Sequence, residues 1–111
     1  MHRLFPQKLL TIITMEALEE RLVEIVRKNG ASGYTIVKAT GAGSSGEVSG
    51  ELDVDTSIKF HVIVPQGRMS AMLDDVEVLL QEGHHLTVFV SDVAVLAPEK
   101  FEAPLAESIQ D

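Results

Sequence analysis

The chain has no cysteine among its 111 residues. That excludes a disulfide framework, thiolate chemistry and cysteine-ligated zinc or iron–sulfur centres. Basic residues are scarce too: 9 Lys and Arg against 17 Asp and Glu give a formal charge of -8. Nonspecific nucleic-acid binding needs clustered cations to neutralise phosphates, so no nucleic-acid partner is expected. No apolar run approaches the roughly 20 residues that cross a bilayer, so no direct membrane insertion is expected. The opening Met1-His-Arg-Leu-Phe-Pro has too little apolar length for a secretory leader. These absences make a soluble cytoplasmic protein the expectation. What remains is an ordinary globular mix, 45% apolar and 23% charged, sized for a single core.

Leu9 to Thr14 is apolar and β-branched, the pattern of a buried strand. Residues 1–8 then read as an N-terminal extension. Met15 to Asn29 carries Leu18, Leu22, Ile25 and Val26 on one side, which predicts an amphipathic helix aided by Glu24 and Lys28 at i,i+4 spacing. Thr14 is its candidate N-cap and Gly30 its candidate C′ residue. Gly33 to Thr40 is a second strand. Thr56 to Val64 alternates, with Ile58, Phe60, Val62 and Val64 on one face and Lys59, His61 and Ile63 on the other. Gln66 to Glu82 bears a helical stripe of Met69, Met72, Leu73, Val76, Leu79 and Leu80. Leu86 to Leu96 is the last strand, and residues 97–111 form a polar tail.

Between the second and third strands lies a glycine-rich loop, Gly41 to Asp55, with Glu47, Glu51, Asp53 and Asp55 and no lysine or arginine. So long a loop inside a compact domain points to function. Gly41-Ala-Gly-Ser-Ser-Gly46 spells G-x-G-x-x-G, but no helical stripe follows to hold a pyrophosphate, so a dinucleotide fold is rejected. The loop carboxylates match no calcium-binding spacing. Adjacent His84 and His85 on a short connector diverge and have no third ligand, so no metal site is expected. No nucleophile elbow, Walker loop or serine–histidine–acid spacing occurs, and no catalytic residue is nominated. The chain is not expected to be an enzyme.

The order is βαββαβ, the α+β ferredoxin-like pattern: a four-stranded antiparallel sheet with both helices on one face. The uncovered face would carry Thr11, Ile13, Thr35, Val37, His61, Ile63, Thr87 and Phe89. That set is too apolar for open water and too polar for a dry core, which points to an oligomer with its bare sheets turned inward.

Gly33-Tyr-Thr-Ile-Val-Lys-Ala-Thr-Gly-Ala-Gly-Ser44 resembles the second strand and loop start of the PII signal-transduction superfamily. It is nearer to the PII-like group associated with inorganic carbon than to the nitrogen-regulating members. Ile58-Lys-Phe-His-Val-Ile-Val-Pro65 and Thr87-Val-Phe-Val-Ser-Asp-Val-Ala94 are similar to the family's third and fourth strands, and the likeness spans the domain at 9–96. The resemblance implies a homotrimer with adenine nucleotides in the clefts between subunits. Residues 41–55 would be the T-loop, which changes shape with the ligand and docks on a partner. By the same likeness Thr35 would hydrogen-bond the adenine and Ile63 pack near it. Gly41, Ala42, Gly43 and Ser44 would approach the nucleotide at the loop's root.

This chain departs from nitrogen-type members in ways that bear on the ligand. The stretch expected to hold phosphate is Gly83-His84-His85-Leu86-Thr87, with threonine where the family has lysine. Gly83, His85 and Thr87 take the phosphate-loop positions, and His61 replaces a glutamate. With few cations nearby, AMP, cyclic AMP or ADP is expected in preference to ATP, with bicarbonate as a second ligand. The expected partner is a transporter for bicarbonate or a related anion, or an enzyme, reached through the T-loop. A transporter would recruit the protein to the inner membrane. The alternative is a trimeric metal-binding tolerance or structural protein of the same architecture, without a nucleotide site.

Overall fold

A computed structural model describes residues 2–41, 56–97 and Glu99. Ala42, Gly43, Ser44 and the four loop carboxylates lie outside the described residues, as does nearly all of the tail. The elements are β1 (Phe5–Met15), a 3-10 turn (Glu16–Leu18), α1 (Glu19–Lys28), β2 (Thr35–Ala39), β3 (Ser57–Val64), α2 (Gln66–Gln81) and β4 (Thr87–Val95). The strands form one sheet in the order β2-β3-β1-β4, every neighbouring pair antiparallel. This is the ferredoxin-like arrangement that the element order predicted.

Alternation along β3 decides which face is covered. Ile58, Phe60, Val62 and Val64 are all buried. Register sets Leu10 opposite Val62 and Ile12 opposite Phe60, so those residues share a face. Against it pack Leu22 and Val26 from α1 and Met69, Met72, Val76 and Leu79 from α2, in one core. Burying each such side chain contributes about 1.5–3 kcal/mol. Both helices therefore lie on one face, and the opposite face stays bare.

The helices end alike. Gly30 and Gly83 adopt φ of 76° and 97°. Gly30 N–H donates to Arg27 C=O at 3.1 Å and Ala31 N–H to Val26 C=O at 3.0 Å; Gly83 and His84 donate to Leu80 and Leu79 at 3.0 and 3.1 Å. Both are Schellman turns, in which a left-handed C′ residue lets the last carbonyls find partners. Gly30 is the C′ residue expected.

Elsewhere the structure differs from expectation. β1 begins at Phe5, inside the stretch read as an extension, because Phe5 to Lys8 pair with Val95 to Asp92. Pro6, Gln7 and Lys8 break the apolar run, so pairing with β4 and the Lys8–Asp92 ion pair carry the strand instead. Thr14 is not an N-cap: the chain enters α1 through the 3-10 turn without a side-chain cap. The Thr14 hydroxyl instead donates to the His85 carbonyl at 2.9 Å. Lys28 pairs with Asp75 at 3.4 Å, not with Glu24. Leu80 falls off the stripe and is 42% exposed. Among the described residues, no helix is long and apolar enough to cross a membrane.

Candidate functional site

Cross-strand register sorts the bare face into rows. Thr35, His61, Thr11 and Phe89 stand side by side across β2, β3, β1 and β4. The next row is Val37, Lys59, Ile13 and Thr87, and on the other side Ile63, Leu9 and Ser91 form a row across β3, β1 and β4. All eight residues assigned to this face from the sequence lie on it. Val37 and Phe89 are each 47% exposed, whereas Thr11 in the middle of its row is 1% exposed. The Thr11 hydroxyl lies 3.2 Å from Nδ1 of His61.

Where β2 begins, this face dips into a depression of about 480 Å³. Leu9 and Ile63 give it apolar walls, Thr35 and His61 give it polar groups, and the connector Ser32–Tyr34 forms its rim. Its size falls within the range of small-molecule sites. Tyr34 stacks on Phe60 with ring centroids 5.2 Å apart and 14° between planes, which ties the rim to the core. Among the described residues, no lysine or arginine lines it. Such a site suits a flat, weakly charged ring with a few hydrogen-bonding atoms, and it does not suit a phosphate.

Thr35, His61 and Ile63, nominated from the sequence, are thus brought together. Gly41, Gly83, His85 and Thr87 are not part of that cluster. Gly41 follows the far end of β2, about 20 Å from Thr35 at strand rise. Thr87 opens β4 on the opposite edge of the sheet, three strand spacings or about 14 Å from β2. Gly83 is taken up by the turn that ends α2. His84 lies 3.5 Å from Glu82, and the His85 carbonyl is held by Thr14.

Sequence reasoning missed Leu9, Ser32, Gly33 and Tyr34 as lining residues. Tyr34 stood in the Gly33-Tyr-Thr run that carried the family likeness, so a signal was present. Leu9 enters only through its register with Ile63, which no local pattern reveals.

A second groove, about 320 Å³, runs between α1 and α2 along Arg21, Lys28 and Asp75. Its charges answer one another: Arg21 meets Glu82 at 3.3 Å, and Asp75 accepts from Lys28 at 3.4 Å and from the Asn29 amide at 2.9 Å. Asn29, and after it Lys28, hold the Asp75 carboxyl below its ordinary range, against the opposing pull of partial burial. Among the described residues, no group of three or more His, Asp or Glu side chains is placed to hold a metal ion.

The sequence profile of the nitrogen regulatory protein P-II family matches residues 7–100. Solved structures extend that likeness. CPII, a nitrogen regulatory PII-like protein from Thiomonas intermedia K12 bound to ADP, AMP and bicarbonate, gives a TM-score of 0.81 at 33% identity, covering 91% of this chain and 98% of that one. The same protein bound to ADP and bicarbonate gives 0.80 at 34%, covering 91% and 99%. A PII-like signaling protein from Thermus thermophilus gives 0.72 at 32%, again covering 91% and 99%. Comparison with curated proteins finds no match.

Proposed function

Because this chain belongs to the nitrogen regulatory protein P-II family, on the side of the PII-like protein CPII, we propose that it senses an adenine nucleotide in clefts between the protomers of a homotrimer. The observation that carries this reading is that Thr35, His61 and Ile63 share one depression on the bare face, while Gly41, Gly83, His85 and Thr87 stand apart from it. The cluster of Leu9, Thr35, His61 and Ile63 is fit for a base and has no cation. Gly41, Gly83, His85 and Thr87 lie too far away to serve the same bound molecule within one protomer. Packing the bare faces of three copies together would bring those residues of a neighbouring protomer toward the depression. Exposed Val37 and Phe89 favour that closure, since apolar surface of this kind marks an interface.

CPII holds ADP, AMP and bicarbonate. For this chain AMP, cyclic AMP or ADP is the ligand in preference to ATP, because Gly83 to Thr87 offers no lysine or arginine to a triphosphate. Bicarbonate is the second ligand. The protein is regulatory rather than catalytic. Nucleotide selects one arrangement of the T-loop, to the extent that its affinity for the two arrangements differs. The loop docks on a transporter for bicarbonate or a related anion, or on an enzyme, from the cytoplasm.

Calorimetry of the full chain with AMP, cyclic AMP, ADP and ATP, with and without bicarbonate, tests this alongside sedimentation. A trimer that binds AMP or ADP more tightly than ATP is expected. A well-folded monomer at micromolar concentration, or no heat for any nucleotide at millimolar ligand, would sink it.

A further inference from the structure

His61 is presented to the depression in a fixed way by a residue that does not line it. Thr11 stands directly opposite on β1, and its hydroxyl oxygen is 3.2 Å from Nδ1. The Thr11 side chain is buried, and its hydroxyl has no other hydrogen-bond partner among the described residues. Two proton arrangements fit that distance. In one, Nδ1–H donates to the threonine oxygen, and the hydroxyl proton is left buried without an acceptor. In the other, the hydroxyl donates to Nδ1, and every buried donor of the pair is satisfied. Buried donors without partners are strongly disfavoured, so the second arrangement wins.

From this we infer that Thr11 is a positioning residue that keeps the neutral His61 ring in its Nε2–H tautomer, so that the depression presents a hydrogen-bond donor and reads an acceptor on its ligand. The ligand half of this inference rests on the assignment of the depression to an adenine base. With Nδ1 occupied, Nε2 is the ring nitrogen left for a bound molecule. An adenine edge places a ring-nitrogen acceptor beside the donor 6-amino group. Thr35, paired with His61 from the neighbouring β2, has a hydroxyl that accepts from that amino group. The row across the sheet therefore matches an adjacent acceptor and donor on one edge of the base.

Two measurements on the full chain test this. Imidazole nitrogen shifts of the ligand-free protein should show His61 as Nε2–H in the wild type and in Thr11→Ser. In Thr11→Val, which keeps the branched shape and loses the hydroxyl, the two tautomers should mix. In calorimetry, 1-deaza-AMP or 7-deaza-AMP, whichever lacks the recognised nitrogen, should bind about tenfold more weakly than AMP. That difference should persist in Thr11→Ser and shrink to about threefold or less in Thr11→Val. An Nδ1–H tautomer in the wild type, or nitrogen shifts unmoved by Thr11→Val, overturns the role of Thr11. Both analogues binding as tightly as AMP overturns acceptor reading. Failure of AMP itself to bind would instead strike the nucleotide assignment, and the ligand-free shifts would still decide the tautomer.

Discussion

On one face of the sheet Leu10, Ile12, Phe60, Val62 and Val64 are at most 1% exposed, sealed under two helices. On the other, Val37 and Phe89 are each 47% exposed beside the part-buried Thr11–His61 pair. Gln7 lies on that second face as well, and its side-chain oxygen is buried with no hydrogen-bond partner among the described residues. The covered face is finished by the chain itself: its groups are apolar, and its surroundings are supplied by α1 and α2. The bare face is left incomplete, with apolar surface and polar atoms that the protomer does not answer. A period of two residues is all that separates the scaffold from the site. Substitutions one residue apart in a strand should accordingly fail in different ways.

The largest effect is expected on the covered face. Phe60→Ala removes a fully buried ring and the stacking partner of Tyr34. It should cost about 3–5 kcal/mol in urea unfolding, enough to leave little folded protein. A change well under 1 kcal/mol would mean that the core is not where register places it. The bare face should answer differently. Phe89→Glu puts a charge on the bare face along its β4 edge without touching the helix-covered core. The fold should survive by circular dichroism while self-association weakens by about 2 kcal/mol or more, seen as dissociation in sedimentation. Equal oligomerisation of wild type and variant would separate the bare face from the interface and erase the proposed contrast.

What could be read from residues alone follows the same division. β3 was legible because Ile58 to Val64 alternates without interruption, and α2 because Met69, Met72, Val76 and Leu79 repeat at helical spacing. Gly30 was legible as a helix stop because few other residues tolerate its backbone. The start of β1 was not, since Pro6 and Gln7 look like a break and only pairing with β4 makes them strand. The site divides likewise. Thr35, His61 and Ile63 came from family likeness and were gathered by register into one depression. Leu9 and the Thr11–His61 bond depend on which residues of β1 and β3 stand opposite one another, and that pairing joins segments about fifty positions apart. Local periodicity carries no information on it. Gly83 also had two readings in the sequence, because a turn and a phosphate loop both favour glycine; the structure shows the turn.

The smallest effect belongs to the groove between the helices, where Arg21, Lys28 and Asp75 each have a charged partner. Asp75 is held below its ordinary pKa of 3.8 by the Asn29 amide and then by Lys28. A carboxyl whose folded pKa is depressed adds stability that is present above the unfolded value and is lost as pH falls through the folded one. The contribution is modest, because the ion pair is solvent-facing: the Lys28 side chain is 71% exposed. Wild-type urea midpoints should therefore decline as pH falls through and below 3.8, and Asp75→Asn should make that decline shallower while leaving nucleotide affinity unchanged. Identical acid slopes would show that Asn29 and Lys28 do not favour the ionised form. A change in affinity would show that the helix surface and the bare face are coupled, which the separation of the two sites across the sheet argues against.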